Sequence, residues 1–431
     1  MQLPCSVSST ATTSTPAAVA GEPQTGLVFG LGATGSWDEA AVGSPVVRCY
    51  VGDDEQRWFM WYSGRKADSP AAGGVDAAAP SSGLTGVAIS RDGIHWTRGS
   101  DAIAGSRGAE AAADVGACIT PNGDWWTFDT CHLAPGDVQV LSNGSVSGGV
   151  GVYWMFYSGG DYEAVALPEG YPDAPGQGVE GLRMRPGLAM SQDGKNWARI
   201  EADHHTGALF DVGKEGEPDS LFVRSPQVLA VGPRDMRMYY TSWDVNRRRF
   251  VVLLATSPDG FKWTKKGVVF DPAAVPAAVV AASDDENDAG GAAAAFDALG
   301  AATVSVVRDI DNRQFLMFYE AVAADNRRSI GLAVSKDGTS WRRYGAPVLE
   351  AEGGSAPGAW DGGDVGSPCA VSMSAGRWRL YYGGRKQSGT GPWQGIGLAL
   401  SVEGGPAFER VPVQFRRRAV KTEQAAAGAT A

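Results

Sequence analysis

Large apolar side chains recur every second residue in short runs along this 431-residue chain, and Gly- or Asp-containing turns end each run. A two-residue period in runs this short predicts half-buried strands, not helices. One pattern repeats, and repeats decide architecture before any local detail does. Ser-x-Asp-Gly-x-x-Trp stands at 90–96, 191–197, 257–263 and 335–341, with a decayed fifth copy over 401–408. Asp-Gly closes a tight hairpin, because Gly accepts positive φ and Asp bonds its own backbone. The Trp then opens the next strand. An apolar strand precedes each copy, at 86–89, 187–190, 252–255, 331–334 and 397–400.

Upstream of these lies an aromatic-rich strand, at 58–64, 153–159, 237–243, 315–320 and 378–384. Upstream again is a strand of small residues, at 42–47, 115–119, 223–228, 303–307 and 365–370. Small side chains suit strands that converge on a narrow axis. Five units of four strands predict an all-β fold, a five-bladed β-propeller of four-stranded antiparallel blades over residues 26–412. Residues 1–25 read as a disordered or targeting tail and 413–431 as a disordered C-terminal tail. The Ala/Gly-rich stretches 67–83 and 280–296 read as surface loops.

Composition narrows the partners. The formal net charge is −11 and basic runs are short, such as 247–249 and 416–418. A groove that follows phosphates needs clustered Lys and Arg, so nucleic acid is not an expected partner. No run of about twenty apolar residues is present, so no membrane span is expected. The five cysteines include no CxxC pair, and three fall in apolar strands, which favours a reducing compartment. Residues 1–25 are rich in Ser and Thr, lack Lys and Arg, and have no apolar core. They predict no secretory signal. The expectation is a soluble intracellular protein, of the cytoplasm or, with an atypical transit peptide, of a plastid. No phosphate-binding glycine loop is evident. Asp203-His204-His205 lacks a third ligand and reads as an exposed turn; no metal or cofactor is expected.

Antiparallel blades put the loops before the inner strand and after the second strand on one face, here called the top. The Asp-Gly turns fall at the bottom, so Asp92, Asp193, Asp259 and Asp337 read as turn residues. Top-face candidates before the inner strands are Trp37-Asp38, Asp114, Glu217, Asp219, and Trp360-Asp361. After the second strands come Arg65, Asp161, Trp243-Asp244, Glu320 and Arg385. Carboxylates beside Trp suit sugars: rings stack on aromatic faces and hydroxyls bond to carboxylates. Trp37-Asp38, Phe296-Asp297 and Trp360-Asp361 echo one another, which equally suits a scaffold.

The strand order, with Met-x-Tyr-Ser-Gly-like strands followed by Gly-Leu-Ala-x-Ser-x-Asp-Gly-x-x-Trp, resembles the five-bladed glycoside hydrolase propellers of the arabinanase, levansucrase and invertase superfamily, including families 32, 43, 68 and 130. The resemblance covers about residues 26–412. The repeat also looks like a shortened sialidase Asp box, although six blades and an arginine triad fit this chain less well. The resemblance implies a sugar or oligosaccharide ligand at the top of the channel. It also implies two carboxyl groups flanking the scissile bond. In the resembled families, acids stand near the starts of inner strands one, two and three, often as Asp before Pro and as Glu two before Pro. Here Ser44 precedes Pro45, Gly116 precedes Ala117, and Arg224 stands two before Pro226. The expected catalytic set is therefore drawn from nearby acids: Asp38, Asp114, Glu217 and Asp219. The expected sugar-binding set is Trp37, Arg65, Asp161, Arg224, Trp243, Asp244, Glu320, Trp360, Asp361 and Arg385. The alternative is a catalytically degenerate propeller that serves as a protein-interaction scaffold.

Overall fold

The computed structural model describes residues 25–51, 56–67, 83–99, 116–141, 151–172, 178–275, 277–278, 295–352, 359–389, 391–403 and 407–411. The expected tails and Ala/Gly-rich loops lie almost entirely outside these residues, and so do Asp114 and Cys5. Five sheets of the described residues, antiparallel along their main strands, form the blades of a propeller, and a sixth, two-stranded sheet joins Val165–Ala166 to Gly178–Val179. Blade three is the most regular. Its strands run outward as Arg224–Gly232, Asp235–Asp244, Arg249–Ser257 and Thr264–Phe270. Blade one has Ala41–Val51, Gln56–Arg65, Leu84–Ser90 and Thr97–Arg98. Blade two has His132–Leu141, Val152–Gly160, Met184–Ser191 and Ala198–Ile200. Blade four has Ala301–Asp309, Gln314–Val322, Arg328–Ser335 and Arg342–Tyr344. Blade five has Asp364–Ser372, Trp378–Arg385 and Gly395–Ser401, completed by two short strands.

Those two strands close the ring. Phe408–Arg410 pairs with one half of Gly395–Ser401, and Leu27–Gly30 from the start of the chain pairs with the other. Trp360 Nε1 also donates to Thr25 O at 3.0 Å. The ring leaves each blade only a short outermost strand as an edge, which limits pairing with other chains. No helix of the described residues is long and apolar enough to cross a membrane.

The Asp-Gly turns behave alike. In each, Ser Oγ accepts the Gly N–H and Asp Oδ1 accepts the next two N–H groups, as at Gly93, Ile94 and His95 (2.8–2.9 Å). The other three turns repeat this. Burial opposes ionisation of Asp193, but the N–H donors hold its carboxyl down at about 2. Three of the four turns dock on the preceding blade through a hydrogen bond: Tyr381 donates to Gly93 O (2.8 Å), Trp61 to Gly194 O (2.7 Å) and Tyr239 to Gly338 O (2.9 Å); in the fourth, Phe261 packs 5.0 Å from Trp154 of blade two. The repeated motif is thus a joint between blades.

One expectation is corrected. The run at 115–119 is not the inner strand of blade two. Its described part, Ala117–Ile119, pairs with Leu84–Ser90 on the outer side of blade one. The inner strand is His132–Leu141, whose Pro135-Gly136-Asp137 reads locally as a turn. A bulge absorbs Gly136, and neighbours in the fold satisfy Asp137. Every inner strand carries a bulge at this level. Next to it runs a girdle of side chains that accept backbone N–H groups from the following blade. Asp137 accepts from Val228 (2.9 Å), Gln227 from Val306, Ser305 from Ala370 (3.1 Å) and Cys369 from Val47 (3.3 Å). All four acceptor residues are buried.

Candidate functional site

The aromatic-Asp pairs belong to a latch present in every blade. Tyr62, Tyr157, Tyr240, Tyr319 and Tyr382, on the second strands, donate to Asp38, Asp129, Asp219, Asp297 and Asp361 at 2.9–3.0 Å. A cation from the outer strand or its edge pairs with each Asp: Arg98, Arg199, Lys265, Arg343 and Arg410, at 2.7, 2.7, 2.7, 3.4 and 2.8 Å. All five Asp side chains are buried. Burial, reinforced by the facing carboxylate, pushes the five phenols up. Trp37 stacks on Tyr62 and Trp360 on Tyr382, with ring centroids 5.3 and 5.6 Å apart. The Gly of each Tyr-Ser-Gly-like motif makes room for this. A Cβ at Gly64 or Gly384 would lie 2.4 Å from Trp37 or Trp360, and one at Gly159 would lie 2.4 Å from Asp129.

This places several predicted site residues behind the surface. Trp37, Asp38, Asp219, Trp360 and Asp361 are latch members with covered faces. Glu217 is exposed and caps its own turn, accepting from Lys214 N at 2.8 Å. Trp243 is sealed under Tyr171, 5.0 Å away, which the insertion between the second and third strands of blade two carries over it. Asp244 accepts from Asn246 N and Arg247 N (2.9 and 3.1 Å) and shapes the hairpin after its strand. Sequence reasoning missed Asp129, the blade-two latch acid. The available signal was Phe128-Asp129, an aromatic-Asp pair just ahead of a strand.

Four other candidates converge around the top of the channel. Glu320 accepts from Thr303 Oγ1 (2.9 Å), from Ser367 N (2.9 Å) and from Arg328 Nη1. Gly366 exists for this contact, since a Cβ there would sit 2.7 Å from the Glu320 carboxyl carbon. Arg224 donates to Ala302 O at 2.6 Å and packs over Phe222 and Phe250. Arg385 binds Asp364 through Nε and Nη2 (2.9 and 2.8 Å) and Gly391 O through Nη1 (2.6 Å). Asp364 also accepts the Arg328 backbone N–H at 2.7 Å. A buried chain of charge, Arg224, Glu320, Arg328, Asp364 and Arg385, therefore spans blades three to five. Across the axis Arg65 is buried, and its charge acts on His132.

Charge sorts the two carboxyls of this chain. Burial pushes Glu320 up, but Arg328 and Arg224 outweigh it and hold the group below its ordinary value. Burial prevails at Asp364 and raises it against the pull of Arg385. His132 is pushed down to about 4, mainly by burial; its ring bonds Gly181 O at 2.8 Å. Above the girdle the bulges present small polar groups: Ser44, Ser225 and Thr303 are half-buried, and Ser367 is nearly covered. Ser44, Ser225 and Ser367 hold left-handed φ values of 47°, 52° and 45°. Apart from Asp137, whose carboxylate is taken up by the girdle, no carboxylate stands at these bulges, and the residue before Pro135 in the corrected blade-two strand is Ala134. Among the described residues no cluster of three or more metal-ligating side chains occurs.

The fold resembles a structure described under a GH130 family of mannoside phosphorylases containing glycoside hydrolases that target β-1,2 mannosidic linkages in Candida mannan. Here the TM-score is 0.52 at 15% identity, over 93% of this chain and 99% of the other. A thermostable family-43 glycoside hydrolase matches with TM-score 0.50 at 15% identity, over 86% and 93%. The architecture is that of glycoside hydrolase propellers. An N-acetylgalactosamine deacetylase from F. plautii, in complex with blood group B trisaccharide, matches as well, with TM-score 0.52 at 14% identity, over 88% and 94%. No protein-family model matches the sequence, and no curated protein matches it. At such identities the likeness establishes the fold, and a fold alone does not select a chemistry.

Proposed function

We propose that this propeller binds a sugar or oligosaccharide in the cup at the top of its channel. The observation that carries this is the polar group at the bulges of the inner strands, above the girdle: half-buried Ser44, Ser225 and Thr303, backed by the buried Arg65, Arg224, Arg328 and Arg385. Hydroxyls and guanidinium groups are the donors and acceptors that order sugar hydroxyls. The carbohydrate-acting proteins that share the architecture, one of them seen with a trisaccharide, support the same reading. The half-buried Ser44, Ser225 and Thr303 are the proposed ligand-facing set, and the buried Arg65, Arg224, Glu320, Asp364 and Arg385 are proposed to reach the ligand by turning toward it when it enters. The latch residues lie behind this set and hold its shape.

Hydrolysis in this cup requires two carboxyl groups with different proton affinity. Glu320 and Asp364 are the proposed pair. Asp364, raised by burial, gives its proton to the glycosidic oxygen as that bond breaks. Glu320, held ionised, takes the proton of the attacking water or bonds the anomeric carbon. Release of sugar from α-L-arabinosides, xylosides, fructosides and β-mannosides tests this. Glu320→Gln and Asp364→Asn are expected to lower turnover at least a hundredfold while melting shows that they fold. Undiminished turnover in both variants would remove the pair from the mechanism. Sugar binding without turnover in the parent protein would favour the non-hydrolytic reading, which the absence at the bulges of any carboxylate beyond Asp137 already motivates.

A further inference from the structure

A second polar surface lies on blade two. Trp125, Trp126 and Tyr162 are 89%, 39% and 54% exposed, unlike the buried tryptophans of the core. With Asn122, Asp161 and Glu163 they line a cavity of about 570 Å³, within the range that holds small ligands. Large aromatic faces left in water are an unfavourable use of apolar surface, so three around one cavity call for an occupant.

The repeat itself shows that the fold does not need these rings. In blades one, two and three the loop ahead of the latch Asp contains a turn closed by the same bond. Ser36 N donates to Ala33 O, Thr127 N to Asp124 O and Glu217 N to Lys214 O, at 2.9, 3.0 and 2.9 Å. The two central residues are Thr34-Gly35 in blade one and Glu215-Gly216 in blade three. In blade two they are Trp125-Trp126. The turn is equally well anchored there, since Asn122 N donates to Asp129 O at 2.9 Å and Asp129 is held by its latch. Two indoles have thus been added to a rigid loop that elsewhere carries small or charged residues.

The opposite wall is fixed too. Asp161 accepts from Glu163 N at 3.0 Å and pairs with Arg185 at 3.0 Å, which holds Tyr162 between two acids. Glu163 pairs with Arg183 at 3.3 Å. The surface lies at the same end of blade two as the start of the inner strand, since Gly160, just before Asp161, pairs with His132. Aromatic faces take the C–H face of a pyranose ring, and carboxylates accept from its hydroxyls. Two carboxylates at the cavity disfavour an acidic sugar.

We propose that Trp125, Trp126 and Tyr162 form a stacking platform for a neutral pyranose unit of an oligosaccharide whose other end occupies the channel cup. This rests on the sugar-binding reading above. The test is calorimetric titration with xylohexaose, cellohexaose, mannohexaose, their monosaccharides and hexagalacturonate, using the full chain, Trp125→Ala and Tyr162→Ala. Both side chains are exposed, so both variants are expected to melt like the parent. The expected result is that each variant binds the preferred neutral hexasaccharide at least tenfold more weakly and keeps parental affinity for the monosaccharide. Parental hexasaccharide affinity in both variants overturns the platform and leaves the cup standing. Tighter binding of hexagalacturonate than of every neutral probe overturns the neutral class. Absence of any sugar binding by the parent protein overturns both.

Discussion

His132 shows most directly how one residue reports its surroundings. Its ordinary value near 6.5 falls to about 4 in the fold. As pH drops through 6.5 the unfolded chain gains a proton that the folded chain refuses until about pH 4. Stability is therefore lost across that window, at about 1.4 kcal/mol per pH unit from this group. Denaturant melts of the parent and of His132→Gln from pH 7 to pH 4 should show a shallower acid loss in the variant. Equal slopes would mean that His132 protonates freely in the folded protein. None of this was legible in the sequence. Burial of the ring depends on blade two starting at His132, and the apolar run at 115–119 made a better-looking strand than one containing Pro, Gly and Asp.

The element is where the sequence was most readable and most deceptive. Alternation, Asp-Gly turns and a Trp at fixed spacing require only local chemistry, so the second and third strands and four of five inner strands lay close to where the pattern put them. The latch was half visible as Trp37-Asp38, Phe296-Asp297 and Trp360-Asp361. Its Tyr and its cation come from other strands, and no local signal joins them to the Asp. That is why Asp38 and Asp219 read as catalytic candidates. The latch geometry makes a different prediction. Asp38→Asn and Asp129→Asn should destabilise the protein alike, by about 3 kcal/mol, because each leaves a Tyr hydroxyl and an Arg facing a weakened acceptor. Both should bind sugar as the parent does at temperatures where they are folded. If Asp38→Asn melts normally yet abolishes binding or turnover, Asp38 acts on the ligand and the latch is secondary.

At the scale of the whole molecule, the ring is closed from both ends of the chain and locked by joints between neighbouring blades. The girdle joins inner strands of neighbouring blades at mid-depth. The top carries the polar bulges of the inner strands, and an aromatic-lined cavity lies on blade two. The charge chain from Arg224 to Arg385 joins residues more than 160 positions apart. Sequence reasoning could place its members on one face but could not pair them. The central claim is that this face takes a sugar, and the most direct measurement is thermal unfolding of the full chain against a library of neutral and acidic mono- and oligosaccharides. A ligand present at a hundred times its dissociation constant adds about 2.7 kcal/mol of stability, a clear rise in the midpoint. The account predicts such a rise with at least one sugar, and predicts that Ser44→Ala and Ser225→Ala diminish it. A midpoint unmoved by every sugar in the library would contradict it.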